Sequence, residues 1–285
     1  MKPPPFAYSA PGTVAEALRL LADLGTEGKV LAGGQSLVPM LNMRLAAPAH
    51  LVDINGLAGE LGGVDVDDGG VRVGALARHA AVERSAEVAA VLPLLGQALA
   101  EVAHPVIRNR GTVVGSLAHA DPSAELPAVL CLMGGSVEAA SPGGRRTVSA
   151  ADLYLGPLET SLHASELITS AWFPAFPSGT RTAFVEVARR HGDYAVCGVA
   201  VALTCDAGGI VTGVRAAYVS VSDTPLILDL TEAAAGRPAA ETDFAAAGRL
   251  AAEGVSPDGD IHASAEYRRH LAGVLTVRAL QRAAA

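Results

Sequence analysis

The sequence predicts an α+β protein made of three consecutive units. Two observations carry this: helix-period stretches alternate with short apolar runs up to about residue 177, and a run of longer strand-like segments followed by two helices fills the remainder. A third is size. The chain has 285 residues, half of them hydrophobic, so each unit can bury a core of its own. The expected units are residues 1–56, 57–177 and 178–285, with Pro174, Pro177, Ser178 and Gly179 marking the second break.

In the first unit, Thr13-Val14-Ala15-Glu16 forms a capping box, and Ala17, Leu18, Leu20, Leu21 and Leu24 follow at helical spacing until Gly25. Val30 and Leu31 end a short buried strand. Gly33 and Gly34 then make a turn, and Ser36 is placed to cap a helix running through Leu37, Met40 and Leu41 towards Arg44. Residues 51–54 read as another short strand. In the second unit, residues 64–66 and 71–73 pair around Asp67-Asp68-Gly69-Gly70, His79 caps a short helix, and residues 87–102 form a longer one that His104-Pro105 breaks. Asp121-Pro122 starts a helix through Leu126, Val129, Leu130 and Met133, strands surround Val137 and Val148, and residues 167–173 close the unit. In the third, residues 183–190, 196–204 and 211–221 predict a three-stranded antiparallel sheet, on which helices 243–253 and 264–284 pack.

Composition removes several classes of function. With 21 basic against 29 acidic residues, the net charge is −8 and no basic run offers a nucleic-acid footprint. The start of the chain lacks an apolar signal core. The most apolar long window, 89–107, is interrupted by Gln97, Glu101 and His104, so no membrane span is expected and the protein reads as soluble and cytoplasmic. Cys131, Cys197 and Cys205 are far apart and form no C-x-x-C pair, which argues against a zinc or iron–sulfur site held by this chain alone. G-x-S-x-G, H-E-x-x-H, G-x-x-x-x-G-K-[ST] and G-x-G-x-x-G are all absent, so ordinary hydrolase and Rossmann sites are unsupported. The histidines are scattered, and those at 50, 79, 104, 119, 163 and 191 lie near turns, where capping or surface roles are the default.

What remains is a pair of glycine-bearing turns, Gly33-Gly34 and 111–116, in adjacent units. A strand, a glycine turn and a helix start present free N–H groups in one arc, which suits a phosphate; on the Gly-Gly pair alone, a tight turn without ligand is the default reading. Two such arcs in a cleft would suit a dinucleotide.

Several motifs in one order make the chain more specific. They are Ala32-Gly33-Gly34-Gln35-Ser36-Leu37, Leu45-Ala46-Ala47-Pro48, Leu51-Val52-Asp53-Ile54, Val73-Gly74-Ala75-Leu76 and Arg108-Asn109-Arg110-Gly111-Thr112. Gly115-Ser116-Leu117-Ala118-His119-Ala120-Asp121-Pro122, Arg189-Arg190-His191-Gly192-Asp193-Tyr194-Ala195 and Ser264-Ala265-Glu266-Tyr267-Arg268-Arg269-His270-Leu271-Ala272 follow. Together they resemble the FAD-binding medium subunit of molybdenum hydroxylases, the carbon monoxide dehydrogenase and xanthine dehydrogenase family, over nearly the whole chain.

The resemblance implies a vanillyl-alcohol-oxidase-type (PCMH-type) FAD-binding domain of two α+β subdomains, followed by a C-terminal domain of antiparallel sheet plus helices. It implies FAD as cofactor, held by Ala32, Gly33, Gly34, Gln35, Ser36 and Leu37 and by a second loop of Thr112, Gly115 and Ser116. Glu125 matches an acidic position that contacts the cofactor. Tyr194 is similar to a residue beside the flavin ring, although an aromatic filling the third unit's core is the alternative. Lys29 and Arg44 read as solvated. The implied function is electron transfer, with a molybdenum-cofactor large subunit and an iron–sulfur small subunit as partners and no catalytic base or metal ligand in this chain. Val114 departs from the family pattern, which has glycine there, and a β-branched residue resists positive φ. A structural partner with weakened FAD binding is therefore one alternative, and a stand-alone flavoenzyme another.

Overall fold

The structure, a computed structural model, describes residues 2–285. The first unit is a three-stranded parallel sheet. Its strands are β1 (Ala7–Ser9), β2 (Gly28–Leu31) and β3 (His50–Asp53), in the order β1-β3-β2. Parallel neighbours need crossovers, and the helices α1 (Val14–Leu24) and α2 (Leu37–Met43) lie in them. At the start of α1, Thr13 Oγ1 accepts the N–H of Glu16 at 3.2 Å, while the Glu16 carboxylate takes the N–H of Gly12 at 2.8 Å, one residue before the position a capping box predicts. Gly25, at φ +54°, ends the helix. The strand β1 has no sequence signal beyond Ala-Tyr-Ser and is exposed on much of its surface.

The second unit opens with a short helix, α3 (Ala58–Leu61), and the hairpin of β4 (Val64–Asp67) and β5 (Gly70–Gly74). Five helices follow: α4 (His79–Glu83), α5 (Ala86–Val91), α6 (Pro93–Glu101), α7 (Pro105–Arg108) and α8 (Val113–His119). The single helix expected over 87–102 is two, because Pro93 cannot donate into a preceding turn and pushes Leu92 out of helical geometry, to φ −130°, ψ 70°. After them come α9 (Glu125–Met133), the hairpin of β6 (Ser136–Ser141) and β7 (Gly144–Ser149), the one-turn helix α10 (Ala150–Leu153), a small pair β8 (Tyr154–Gly156) and β9 (Glu159–Thr160), and β10 (Leu167–Pro174). Asp121 does not cap α9. Its Oδ1 accepts the N–H of Ser123 at 2.8 Å in a local turn, and the helix begins only at Glu125. The last strand, β10, is central: the sheet order is β4-β5-β10-β6-β7.

The third unit is an antiparallel sheet of four strands rather than three, β11 (Thr180–Ala188), β12 (Ala195–Cys205), β13 (Val211–Val219) and β14 (Leu226–Asp229), in sequence order. The strand β14, Leu-Ile-Leu-Asp, is too short for a clear alternation and sits at the edge. The helices α11 (Ala245–Gly254) and α12 (Ala265–Ala284) cover one face. The other face packs onto α6 and α9, so Phe184, Ala200, Ala202, Ala217 and Val219 belong to the second unit's core. Among the described residues, no helix is long and apolar enough to cross a membrane.

Candidate cofactor site

Both glycine turns meet at one place. A Cβ on Gly33 would stand 2.5 Å from the Arg110 carbonyl oxygen and 2.8 Å from the Cα of Gly111, so the two main chains touch and no side chain fits between them. Gly34 takes φ +73°, which L-residues rarely adopt. Beyond it the chain enters α2. Among the described residues, nothing accepts a hydrogen bond from the main-chain N–H of Gly33, Gly34, Gln35, Ser36 or Leu37. Ser36 occupies the N-cap position in helical geometry, φ −96° and ψ −47°, and its hydroxyl does not cap, contrary to the sequence expectation. Gln35 turns its amide back, donating from Nε2 to the Gly33 carbonyl at 3.0 Å.

The second turn is a helix start, not a loop. Thr112 is the N-cap of α8 and its Oγ1 accepts the N–H of Gly115 at 3.0 Å. A Cβ on Gly115 would lie 2.5 Å from that oxygen, so a side chain there would require the Thr112 hydroxyl to shift. Ser116 donates its N–H to the Thr112 carbonyl at 3.1 Å. The N–H groups of Thr112 and Val114 remain without acceptors among the described residues. Val114 is helical and 3% exposed, with its side chain in the core beside Val113 and Leu117. Positive φ is not required there, so the expectation that Val114 strains this turn is wrong: a helix interior accepts a β-branched residue.

A chain of side-chain hydrogen bonds frames the two arcs, and sequence reasoning missed it. Tyr8 donates to Asp53 Oδ2 at 2.7 Å, and Asp53 Oδ1 accepts from Asn55 N and Nδ2. Asn55 Nδ2 also reaches the Ala32 carbonyl at 2.8 Å, while Arg78 donates to Asn55 Oδ1 and to the Arg110 carbonyl, each at 2.7 Å. Desolvation pulls the Asp53 pKa up, but the Tyr8 hydroxyl, Asn55 and the Arg110 charge outweigh it and hold the carboxyl below its usual range. The Asp-Ile-Asn run after a strand was the available signal, since Asx residues anchor turns. His79 is also misjudged as a cap. It is buried as the first residue of α4, its ring nitrogens lack partners, and Nδ1 lies 2.9 Å from where a Gly111 Cβ would stand. Burial drives its pKa down to about 4, opposed by the Thr112 main chain and assisted by Arg108.

At the far end of α8, about 10 Å along its axis, Asp121 and Ser123 form one wall of a cavity of about 290 Å³. Arg189, Asp193, Tyr194 and, from the segment before α12, Asp260 and His262 form the others. Tyr194 is 67% exposed, so it fills no core. Glu125 is buried in the first turn of α9 and does not line this cavity; burial pushes its carboxyl up to about 7.

Free N–H groups converging from two touching turns, with a cavity one short helix away, suit a ligand with a pyrophosphate and a ring system. Comparison with known proteins decides which. Residues 4–176 match the family described as the FAD binding domain in molybdopterin dehydrogenase, and residues 182–283 match the CO dehydrogenase flavoprotein C-terminal domain. The chain belongs to the FAD-binding medium-subunit family of molybdenum hydroxylases.

It is 41% identical to the 6-hydroxypseudooxynicotine dehydrogenase complex subunit alpha of Paenarthrobacter nicotinovorans, over 99% of this chain and 96% of that one. It is 36% identical to the carbon monoxide dehydrogenase medium chain of Afipia carboxidovorans, over 100% and 99%. Among solved structures, carbon monoxide dehydrogenase from Hydrogenophaga pseudoflava superposes with a TM-score of 0.92 at 38% identity, covering 99% of this chain and 98% of that one. Family membership makes the chain a flavoprotein oxidoreductase subunit with FAD as cofactor, in a PCMH-type FAD domain followed by a C-terminal domain. Cys131, Cys197 and Cys205 are free thiols, and among the described residues no group of His, Cys, Asp and Glu is placed to hold a metal.

Proposed function

We propose that this medium subunit is the electron-transfer component of a molybdenum hydroxylase-type dehydrogenase. Electrons from a molybdenum-cofactor large subunit arrive through the iron–sulfur clusters of a small subunit and leave by way of FAD to a terminal acceptor. The observation that carries this reading is the contact of Gly33 with Arg110 and Gly111, which locks two arcs of free N–H groups together. The relatives support the partners: their names are those of medium chains and of a complex subunit. Free thiols support a reducing, cytoplasmic setting.

FAD, when bound, supplies the redox chemistry. The chain holds and orients it. Main-chain N–H groups of Gly33, Gly34, Gln35, Ser36 and Leu37, with those of Thr112 and Val114, would bind the pyrophosphate without a cationic side chain. Ala32 contributes its carbonyl to the Asn55 brace, and Gly115 and Ser116 shape the start of α8. Tyr194 and Asp121 line the cavity that would take the ring system, and buried Glu125 can hold a proton near neutrality. The functional units are residues 1–56, 57–177 and 178–285.

The test is the absorption spectrum of the purified full chain with its cofactor released and identified, followed by co-purification from the source cells. FAD near one per chain, with a molybdenum subunit and an iron–sulfur subunit retained, is the expected result. A chain that stays colourless and takes up no FAD on titration would overturn the reading.

A further inference from the structure

Gly192 lies in the turn between β11 and β12 at φ +78°, and a Cβ there would stand 2.5 Å from Cε1 and 2.6 Å from Nδ1 of His104. This contact joins the second unit to the third. His191, next in the turn, meets the His104 ring edge-on with centroids 6.0 Å apart. The His104 side is braced from within. Ala103 is held at φ +47°, and its carbonyl accepts from Arg108 Nη1 at 3.2 Å, as does that of Val102 at 3.0 Å. Arg108 is itself buried, and its Nε pairs with Glu83 at 2.8 Å.

The turn is closed on its own side as well. Asp193 donates its N–H to the Arg190 carbonyl at 3.1 Å, and its carboxylate accepts from Arg189 and from the N–H of Tyr194. Tyr194 leaves this turn with a fixed backbone and an exposed ring. Among the described residues its hydroxyl has no hydrogen-bond partner, so the seating of the turn is what orients it.

We infer that His104 is a positioning residue for Tyr194: its ring occupies the space a side chain at 192 would take, and that contact sets where the turn presents the phenol on the cavity wall. The inference rests on the reading that the flavin ring lies beside Tyr194. The segment that carries His104 continues through Arg110, against Gly33, to Thr112, so one stretch registers both ends of the site.

The experiment uses the full chain loaded with FAD and reads the fluorescence of bound flavin, which a neighbouring phenol quenches by electron transfer. Tyr194→Leu should raise it several-fold. His104→Ala and, independently, Gly192→Ala should each raise it in the same direction, with FAD content and affinity near wild type. His104→Phe, which keeps a flat ring in place, should restore dim emission. In the Tyr194→Leu background, His104→Ala should add nothing, the non-additivity expected of residues acting through one another. Unchanged emission in both His104→Ala and Gly192→Ala, or effects that simply multiply with Tyr194→Leu, overturns the inference. Unchanged emission in Tyr194→Leu instead removes the placement of the flavin ring on which it rests. Failure of the wild-type chain to take up FAD would instead overturn the functional reading.

Discussion

A side chain at position 33 has nowhere to go: the atoms it would meet are main chain on both sides, and main chain cannot rotate aside. Gly33→Ala should therefore separate the two arcs, and Gly34→Val should strain the turn by about 1–3 kcal/mol. Both variants should lose bound flavin while keeping a cooperative melt, measured by absorbance and by thermal unfolding; normal flavin content in Gly34→Val would remove this turn from the site. Val114 leads to the opposite expectation from the one its sequence suggests. Because it is buried in a helix, Val114→Gly should leave FAD affinity unchanged and lower apo-protein stability by about 2–4 kcal/mol, combining lost burial with the poor helix propensity of glycine. Flavin titration and denaturant melts check the two signs separately. Residue identity reveals Gly33 and Gly34 because a Gly-Gly pair between a strand and a helix start permits turn angles closed to other residues. It marks Asn55 only as an Asx turn residue and cannot reveal Arg78 or His79, whose roles depend on what folds against them.

Among the elements, the seam between α6 and β11 gathers several buried polar groups without partners. Gln97 and Glu101 on the helix and Thr182 and Glu186 on the strand lie in it. Gln97 Oε1, Thr182 Oγ1 and Glu186 Oε2 are buried without partners. Burial, reinforced by the carboxyls of Glu125 and Glu101, raises Glu186 from 4.5 to about 8. Its folded-state value thus exceeds the unfolded one, so the folded protein retains a proton that the unfolded chain releases. Stability from this group is complete below pH 4.5 and declines as pH rises towards 8. Glu186→Gln should melt with the wild type near pH 5 and above it at pH 8, in thermal scans at both values; equal melting temperatures at pH 8 would contradict this. Elements with strong local chemistry, such as the capped α1, the β4–β5 hairpin and the long α12, are legible in the sequence. The start of α8 is not, because Gly111 and Gly115 suggest a loop, while the Thr112 cap that makes it a helix is one hydroxyl.

Over the whole molecule, the third unit is not separable in energy from the second. The strand β12 shows why in its composition: residues 195–203 are apolar or glycine without alternation, the mark of burial on both faces, where a sheet with helices on one side only would alternate. A chain cut after residue 177 should expose the faces of α6 and α9 that Phe184 and Ala217 now cover. It should run as aggregates on size exclusion, whereas a monomeric, flavin-loaded fragment would show that the shared core is dispensable. The central place of β10 has a further consequence, one of timing. During synthesis β5 and β6 emerge from the ribosome well before Leu167, and until then each has an unpaired edge waiting for a strand not yet made. The helix bearing the second arc, α8, rests on that sheet, and Tyr194 is made later still. Cofactor loading is therefore a late event in the life of each chain, after translation has passed the last wall of the pocket, and a pause before codon 167 exposes the nascent protein to mispairing with its neighbours.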